Sequence, residues 1–293
     1  MPDPAGLPEP PEVGARALPE GTFDGTTVVV TGGGTGLGKA IASEFARLGA
    51  TIAIFSRKLE HLDAGRAAIE SIGGTASTHE CDIREPEQIT AAFDAVEAGG
   101  RRPAVLINNA AANFPVPADD MSPNAWRTVV DITLNGTFFC ARDFARRHLA
   151  AGTTASIVNV GASYAWTGGP GFAHSAAAKA GVKNMVETLA VEWGPYGIQV
   201  NGLVPGLFPH EDMTADIQAN LARTHDKDRT QPAFRVGRPR ELGWAATFLA
   251  SPYGRFINGH TLVVDGANWQ RRSLTNPEVV TVRDQMGKDP FSL

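Results

Sequence analysis

The sequence is poor in cysteine, in net charge and in long apolar runs. Only two cysteines occur in 293 residues, Cys81 and Cys140, which is typical of reduced thiols in a cytoplasmic protein rather than of a disulfide framework. A net charge of −5 offers no basic surface for nucleic acid or for an anionic membrane. No stretch approaches the roughly 20 apolar residues of a membrane span, and the first residues lack the pattern of a secretory signal. No ligand spacing predicts a metal site.

Strands and helices alternate along most of the chain. Amphipathic helical stretches separate apolar, β-branched runs, and this pattern predicts a parallel sheet covered on both faces. The expected fold class is α/β, a single doubly wound Rossmann domain with a seven-stranded, mainly parallel sheet. The strands are predicted within residues 26–31, 51–55, 75–83, 103–111, 155–163, 197–206 and 260–267.

Composition divides the chain into three parts. Residues 1–23 are rich in proline and predict a flexible N-terminal arm. Residues 24–267 carry the alternating pattern and are predicted to form the single folded domain. Within that domain the polar stretch 207–235 interrupts the pattern and predicts a substrate lid. Residues 268–293 are a C-terminal tail without a strong pattern.

A glycine-rich loop, TGGGTGLGK, follows the first predicted strand and opens a helix. Glycines let a backbone approach a pyrophosphate closely, and the following helix N-terminus favours anionic oxygens. A tight turn alone would also explain the glycines, but the strand–loop–helix context favours nucleotide binding. The predicted cofactor-binding residues of this loop are Thr31, Gly32, Gly34, Thr35, Gly36, Leu37 and Gly38.

The spacing TGxxxGxG resembles that of the short-chain dehydrogenase/reductase family. Further stretches carry the resemblance through about residues 24–267: NNAA, DITLNGTFF, VNGLVPG and GHTLVVDGA, in that order. The resemblance implies a homotetramer, with the long helices after the fourth and fifth strands at the interface. It also implies cofactor contacts at Asp82, Ile83, Asn109, Ala110, Ala111, Lys179, Pro205, Gly206 and Phe208.

The end of the second strand indicates which dinucleotide is bound. An NAD site usually places an acidic residue there, to bind the ribose 2′-hydroxyl. Here Ser56, Arg57 and Lys58 follow the strand instead, and two cations with a hydroxyl suit a 2′-phosphate. These residues could also simply open a solvated helix. We expect NADP(H) as the cofactor.

The proton donor of the family is displaced in this sequence. Family members carry Tyr-x-x-x-Lys on one helix, but Ser175 stands four residues before Lys179, and an aliphatic hydroxyl is a poor acid. Among the three tyrosines, Tyr164 follows the carboxyl end of a predicted strand, where ligands bind in this architecture. Tyr164 is therefore the candidate acid, although it could instead pack as a loop aromatic.

The displaced tyrosine resembles the 2,4-dienoyl-CoA reductase branch of the family. Shared stretches are TGGGTGLGK, SRK, INNAAANF, MSPNAW, LNGTFF and SAAAKAGV, with a tyrosine 15 residues before the lysine. In that branch the tyrosine and an asparagine act on the proton side, the lysine binds the nicotinamide ribose and the serine contacts the substrate thioester. By position these catalytic residues are Tyr164, Asn135, Lys179 and Ser175.

Three functions remain open from the sequence. The first is an NADPH-dependent reductase of an unsaturated acyl-CoA, with Tyr164 and Asn135 relaying the proton. The second is an NAD(P)-dependent alcohol dehydrogenase or ketone reductase for a bulky acyl-CoA or lipid, which the polar insertion at 207–235 motivates. The third is a dinucleotide-binding protein without catalysis, which the missing tyrosine at Ser175 motivates.

Overall fold

Seven parallel strands form the sheet of the computed structural model, which describes residues 5–100, 102–213, 228, 230–271 and 281–287. The strand order is β3-β2-β1-β4-β5-β6-β7, and all six pairings are parallel. The predicted doubly wound α/β fold is therefore confirmed, with a sheet that is wholly rather than mainly parallel. The strands are β1 (Thr27–Thr31), β2 (Thr51–Ser56), β3 (Thr75–Glu80), β4 (Val105–Asn108), β5 (Ala155–Val160), β6 (Ile198–Pro205) and β7 (Thr261–Val264).

Helices connect the strands and cover the sheet. They are α1 (Gly36–Arg47), α2 (Leu59–Glu70), α3 (Pro86–Ala98), α4 (Pro123–Val130), α5 (Gly136–Ala151), α6 (Tyr164–Thr167), α7 (Ala173–Trp193), α8 (Pro239–Ala250) and α9 (Val282–Gln285). A π-helical turn, Asp131–Asn135, joins α4 to α5. None of the helices in the described part of the chain has the length and apolar composition to span a membrane.

Local sequence signals fix several helix ends. Ser122 caps α4, because its side chain accepts a hydrogen bond from the Ala125 amide at 3.1 Å, and Pro123 occupies the first turn. Gly152 ends α5 in the left-handed conformation, with φ of 63°, which glycine adopts without strain. The sequence thus encodes the start of the helix that leads into the π-helical turn.

Two hydrophobic clusters pack on opposite faces of the sheet, because successive strand side chains point in opposite directions. Val28 packs in one cluster with Phe45 of α1. Val29 packs in the other with Phe93 of α3 and Phe144 of α5. All five side chains are buried. The strands read as continuous apolar runs because both faces are covered.

The strand order reverses between β1 and β4, where β2 continues on one side and β5 on the other. At such a reversal the connections leave in opposite directions and open a crevice at the carboxyl ends of the strands. The glycine-rich loop after β1 and the loop after β4 border this crevice. The fold therefore places the predicted dinucleotide motif where ligands bind.

The described part of the predicted flexible arm lies against α8. Glu9 forms an ion pair with Arg238, and the Pro11 carbonyl accepts a hydrogen bond from Arg240 at 2.8 Å. Proline lacks an amide donor and leaves its carbonyl outward, so arginine side chains can hold this segment. We call residues 7–15 the N-terminal strap. The first four residues lie outside the described part.

The predicted lid and tail are only partly described. Residues 207–213, 228 and 230–235 of the lid are described, whereas 214–227 and 229 lie outside the described residues. In the tail, residues 268–271 and 281–287 are described and the remainder is not. The lid assignment therefore stays a prediction.

Candidate active site

The glycine-rich loop makes a tight cradle at the start of α1. Gly32 and Gly36 have φ of 63° and 53°, values that side-chain-bearing residues rarely adopt. A Cβ on Gly34 would lie 1.9 Å from the His61 carbonyl oxygen, so only glycine allows this approach to α2. The side-chain amide of Asn109 donates hydrogen bonds to the backbone carbonyls of Thr31 and Gly32 at 3.1 and 3.2 Å. The loop is thereby held against β4, and Gly36 and Leu37 at the start of α1 face the cleft.

A cleft of about 590 Å³ runs along the carboxyl ends of the strands. Its size lies within the range of ligand pockets. Most predicted cofactor-binding residues line it, namely Gly32, Thr35, Gly36, Leu37, Ser56, Arg57, Lys58, Asp82, Ile83, Asn109, Ala110, Ala111 and Lys179. The residues present thus fit an elongated dinucleotide with anionic groups.

The other predicted cofactor residues are not among those lining the cleft. Thr31 lies behind the loop, and its hydroxyl accepts from the amides of Asn109 and Ala110, both at 3.0 Å. A Cβ on Gly38 would lie 2.3 Å from the Gly32 carbonyl oxygen. These residues, like Gly34, shape the cradle without lining the cleft.

Phe208 is placed differently from its prediction. It is buried in the hydrophobic core, and a Cβ on Gly237 would lie 2.4 Å from its ring. Phe208 lines a separate cavity of about 130 Å³ that the N-terminal strap closes with Leu7. Pro205 ends β6, and Gly206 packs against Asp265. The large apolar side chain of Phe208 gains more from the core than from an aqueous cleft.

Cations gather at one end of the cleft, after β2. Arg57 lies with a guanidinium nitrogen 3.5 Å from Asp82, and its side chain is about half exposed. Asp82 is bound more closely by Arg84, at 3.0 Å from Nε, and this hydrogen bond holds the pKa of the Asp82 carboxyl below its usual value. The Ser56 hydroxyl accepts from the Lys58 amide at 3.3 Å. This end can therefore offer both a positive charge and a hydroxyl.

The opposite end of the site brings Tyr164 and Ser175 together. The Tyr164 phenol oxygen lies 2.9 Å from Ser175 Oγ, and it accepts a hydrogen bond from the Asn113 amide at 3.4 Å. Burial raises the pKa of the Tyr164 phenol, and the hydrogen bond from Ser175 opposes this only in part. Tyr164 thus remains protonated at neutral pH, beside a second hydroxyl.

Asn113 is a site residue that the sequence reasoning missed. It follows the carboxyl end of β4 within INNAAANF, lines the cleft and is exposed to solvent. Tyr164 is predicted from its place after the carboxyl end of β5, and the same criterion applies to Asn113 after β4. The side-chain amide of Asn113 donates one hydrogen to Tyr164 and has a second that can be donated to a ligand.

Asn135 is not brought to Tyr164. It ends the π-helical turn, and its amide donates to Asp131 Oδ1 at 2.9 Å. Asn135 is half-buried and is not among the described residues that line the cleft. The amide that contacts Tyr164 belongs to Asn113, so the structure does not bring Asn135 to Tyr164, and a catalytic role for Asn135 stays a prediction.

Lys179 is buried at the end of the cleft, with 6% of its surface exposed. Its ammonium donates to the Val160 carbonyl, which fixes it between α7 and the carboxyl end of β5. Burial lowers the pKa of Lys179 to about 8, because a low-dielectric environment disfavours the charged form. The ammonium therefore stays mostly charged at neutral pH but close to its titration.

The loop after β6 reaches back over the glycine-rich loop. Asp212 accepts a hydrogen bond from the Gly36 amide at 2.7 Å, and Lys39 lies 2.9 Å from the same carboxylate. Burial raises the pKa of Asp212, but the Gly36 amide and Lys39 outweigh it, so its pKa lies below the usual value. A carboxylate thus occupies the N-terminus of α1, where a phosphate group would also be favoured. No metal-binding cluster occurs within the described ranges.

Known proteins share this sequence and fold. The family model described as "Enoyl-(Acyl carrier protein) reductase" matches residues 32–267. A "Probable 2,4-dienoyl-CoA reductase" of the (2E)-enoyl-CoA-producing type from Bacillus subtilis is 39% identical over 247 residues, 83% of this chain and 96% of the relative.

Two solved structures are similar in both sequence and fold. A short-chain dehydrogenase from Bacillus anthracis is 39% identical, with a TM-score of 0.76 over 83% of this chain and 96% of that chain. A gluconate 5-dehydrogenase from Burkholderia cenocepacia, in complex with NADP and tartrate, is 33% identical, with a TM-score of 0.78 over 85% of this chain and 97% of that chain. Because the family model covers residues 32–267 and these relatives match over more than four fifths of the chain, the chain is an oxidoreductase of the short-chain dehydrogenase/reductase family.

Proposed function

We propose that the protein is an NADPH-dependent reductase of conjugated unsaturated acyl-CoA thioesters, of the 2,4-dienoyl-CoA type. The contact of Tyr164 with Ser175 and Asn113 carries the proposal. The position four residues before Lys179, which holds a tyrosine in most members of the family, holds the hydroxyl of Ser175 here. The phenol of Tyr164 reaches this hydroxyl from a different segment. The sequence similarity to a Bacillus subtilis protein named as a probable 2,4-dienoyl-CoA reductase supports it.

The cleft would hold the cofactor between its cationic end and Lys179. Arg57 and Lys58 would face a 2′-phosphate, because guanidinium and ammonium groups bind phosphate strongly. The amides at the start of α1 would face the pyrophosphate. Lys179 would donate hydrogen bonds to the nicotinamide ribose. When bound, NADPH supplies a hydride to the far end of the conjugated system.

The side chains around Tyr164 would stabilise developing negative charge and donate a proton. Electron density displaced along the conjugated system collects on the thioester oxygen, where Ser175 can donate a hydrogen bond. A carbon atom of the substrate's conjugated system then accepts a proton, which the protonated phenol of Tyr164 can supply. Asn113 would hold Tyr164 in place and offer its second amide hydrogen to the substrate. This division explains why the acid stands away from the position used in ketone reduction.

The second candidate is an alcohol dehydrogenase or ketone reductase. The similarity to a gluconate 5-dehydrogenase favours it. Oxidation of an alcohol, however, needs a base at the oxygen next to the carbon that loses hydride. Ser175 is a poor base, and the raised pKa of Tyr164 makes a phenolate costly. The geometry therefore favours the acyl-CoA reductase. The family membership and the intact site disfavour a protein without catalysis.

The test follows the oxidation of NADPH in the presence of 2,4-hexadienoyl-CoA. Tyr164→Phe should keep NADPH affinity and lose about 10²- to 10⁴-fold in kcat, the usual range for one general acid. Tyr196→Phe is the matched control, because Tyr196 is mostly exposed on the protein surface. Asn113→Ala should also lower kcat, and Asn135→Ala should lower it less.

The outcomes separate the candidates. Turnover by the wild type and by the Tyr196 control, but not by Tyr164→Phe, would support the proposal. Undiminished turnover by Tyr164→Phe would remove the phenol from the mechanism. Reduction of NADP⁺ by gluconate in a parallel assay, with no oxidation of NADPH by the dienoyl-CoA, would replace the proposed function by the second candidate.

A further inference from the structure

The described end of the C-terminal tail lies across the loops that carry the site. We call residues 281–287 the C-terminal clamp. Thr281 caps its short helix α9, with its hydroxyl accepting from the Asp284 amide at 3.1 Å. Val282 and Arg283 are half-buried. The clamp is thus packed against the domain, although residues 194–280 separate it from the end of α7.

Arg283 fastens the clamp to the loop after β4. Its guanidinium binds both carboxylate oxygens of Asp120, at 2.8 and 3.0 Å, and also donates to Asp119. Only 16% of the Arg283 side chain is exposed. A half-buried, bidentate pair is stronger than an ordinary surface ion pair. Arg283 also neutralises two adjacent carboxylates that would otherwise repel each other.

The clamp also contacts the loop after β5. A Cβ placed on Gly171 would lie 3.5 Å from a methyl group of Val282, so Val282 lies directly beside the backbone of this loop. The carbonyl of Gly171 accepts from the Val116 amide at 2.8 Å, which joins the two loops directly. Residues 281–287 therefore touch both the loop that carries Asn113 and the loop that carries Tyr164.

The rim of the site between these loops is apolar. Phe172 stacks parallel to Tyr164, with ring centroids 6.3 Å apart. Phe114 packs edge-on against His174 at 4.8 Å and is 39% exposed. Val282 of the clamp lies beside Gly171, the residue before Phe172. An aliphatic chain fits such a rim, whereas a sugar acid would leave its hydroxyl groups without partners there.

We propose that the C-terminal clamp is the outer wall of the acyl-binding end of the site, with Arg283 as a positioning residue. Arg283 acts through Asp119 and Asp120 and holds the loop of Asn113 against the loop of Tyr164. The identity of the acyl substrate rests on the proposed function, whereas the mechanical role of the clamp does not. Chain-length preference is then set in part by Val282.

The experiment compares Arg283→Ala and Arg283→Lys with the wild type. Arg255→Ala is the matched control, because Arg255 is exposed beyond α8. With 2,4-hexadecadienoyl-CoA, kcat/KM of Arg283→Ala should fall about 10- to 100-fold through a raised KM, since a misplaced wall misorients the chain. The fall should be smaller with 2,4-hexadienoyl-CoA, and the NADPH Kd should not change. Arg283→Lys should recover part of the loss.

A second readout does not depend on turnover. Amide hydrogen exchange in residues 109–122 and 161–172 should accelerate in Arg283→Ala and stay unchanged in Arg255→Ala. Equal losses for both chain lengths with unchanged KM, or unchanged exchange in both loops, would overturn the proposal. If the wild type fails to reduce either dienoyl-CoA, the proposed function fails, and the exchange measurement still decides the role of the clamp.

Discussion

Raising the pH through about 8 should inactivate the enzyme without unfolding it. Burial lowers the pKa of Lys179 from 10.5 to about 8. The charged fraction of its ammonium then falls from about nine tenths at pH 7 to about one tenth at pH 9. Because the charged ammonium is the proposed ligand of the ribose, kcat/KM should fall about tenfold per pH unit above 8. If Lys179 were exposed and kept the ordinary pKa of a lysine, kcat/KM would fall only above about pH 10.

The same lysine should affect stability with the opposite sign. Between the folded and unfolded pKa values the unfolded chain binds more protons, so the free energy of unfolding rises with pH over that interval. The burial of charge costs about 3 kcal/mol at pH 7 and about 1 kcal/mol at pH 9.5. The substitution Lys179→Met removes the buried charge and so restores this free energy of unfolding. It also leaves the Val160 carbonyl without its donor, which lowers the free energy of unfolding by about 1 to 3 kcal/mol.

The assay therefore combines kinetics with unfolding. The kcat/KM for NADPH is measured from pH 6 to 10, and urea unfolding of the wild type and Lys179→Met is measured at pH 7 and 9.5. The stability of Lys179→Met relative to the wild type should decrease by about 2 kcal/mol between these two values. Comparing the two proteins cancels the titration of the buried cysteines, whose pKa values burial also shifts. A kinetic fall that coincides with unfolding, or a difference in stability that does not change with pH, would refute the reasoning.

Two further predictions concern the cofactor cleft. Asp212→Asn should lower the NADPH Kd by about tenfold, because its carboxylate competes for the Gly36 amide and a charged hydrogen bond contributes about 1.5 to 3 kcal/mol. Titration of cofactor fluorescence measures this Kd. The control is Glu211→Gln, which removes a charge that pairs with Lys39 and should change the Kd less. Equal Kd values for the wild type and Asp212→Asn would exclude competition. Arg57→Ala should weaken NADPH binding about 10- to 100-fold and NADH binding far less. Arg66→Ala removes the same charge from the exposed surface of α2 and should change neither Kd, and equal losses for both dinucleotides in Arg57→Ala would contradict the 2′-phosphate role.

Much of the fold could be predicted because its signals are local. Apolar runs such as that of β1 reveal strands buried on both faces, and the Ser122 cap marks the start of α4. The position of Tyr164 followed from the rule that ligands bind at the carboxyl ends of parallel strands. The rule needs only the order of elements along the chain, which the sequence pattern supplies.

The remaining features depend on contacts between distant segments. Asn135 and Asn113 are both asparagines near the carboxyl side of β4, and only the packing of the π-helical turn directs one of them away from Tyr164. Phe208 lies at the start of the polar stretch 207–235, yet it enters the core because Gly237 leaves room for its ring. The proline-rich arm 1–23 is predicted to be flexible because such segments rarely bury enough apolar surface, and its sequence does not indicate the contacts that the strap makes. Its partners on α8 are recognisable only once the chain has folded.

The N-terminal strap also has a consequence for the chain during synthesis. Glu9 and Arg238 are 229 positions apart, so the strap has no partner until nearly the whole domain has left the ribosome. During that interval the strands of the growing sheet present open edges to any extended segment nearby. Pro8, Pro10 and Pro11 have no amide hydrogen to add to such an edge. These prolines therefore prevent the strap from pairing with the growing sheet as a misplaced strand. In the folded protein their carbonyls accept hydrogen bonds from Arg235 and Arg240.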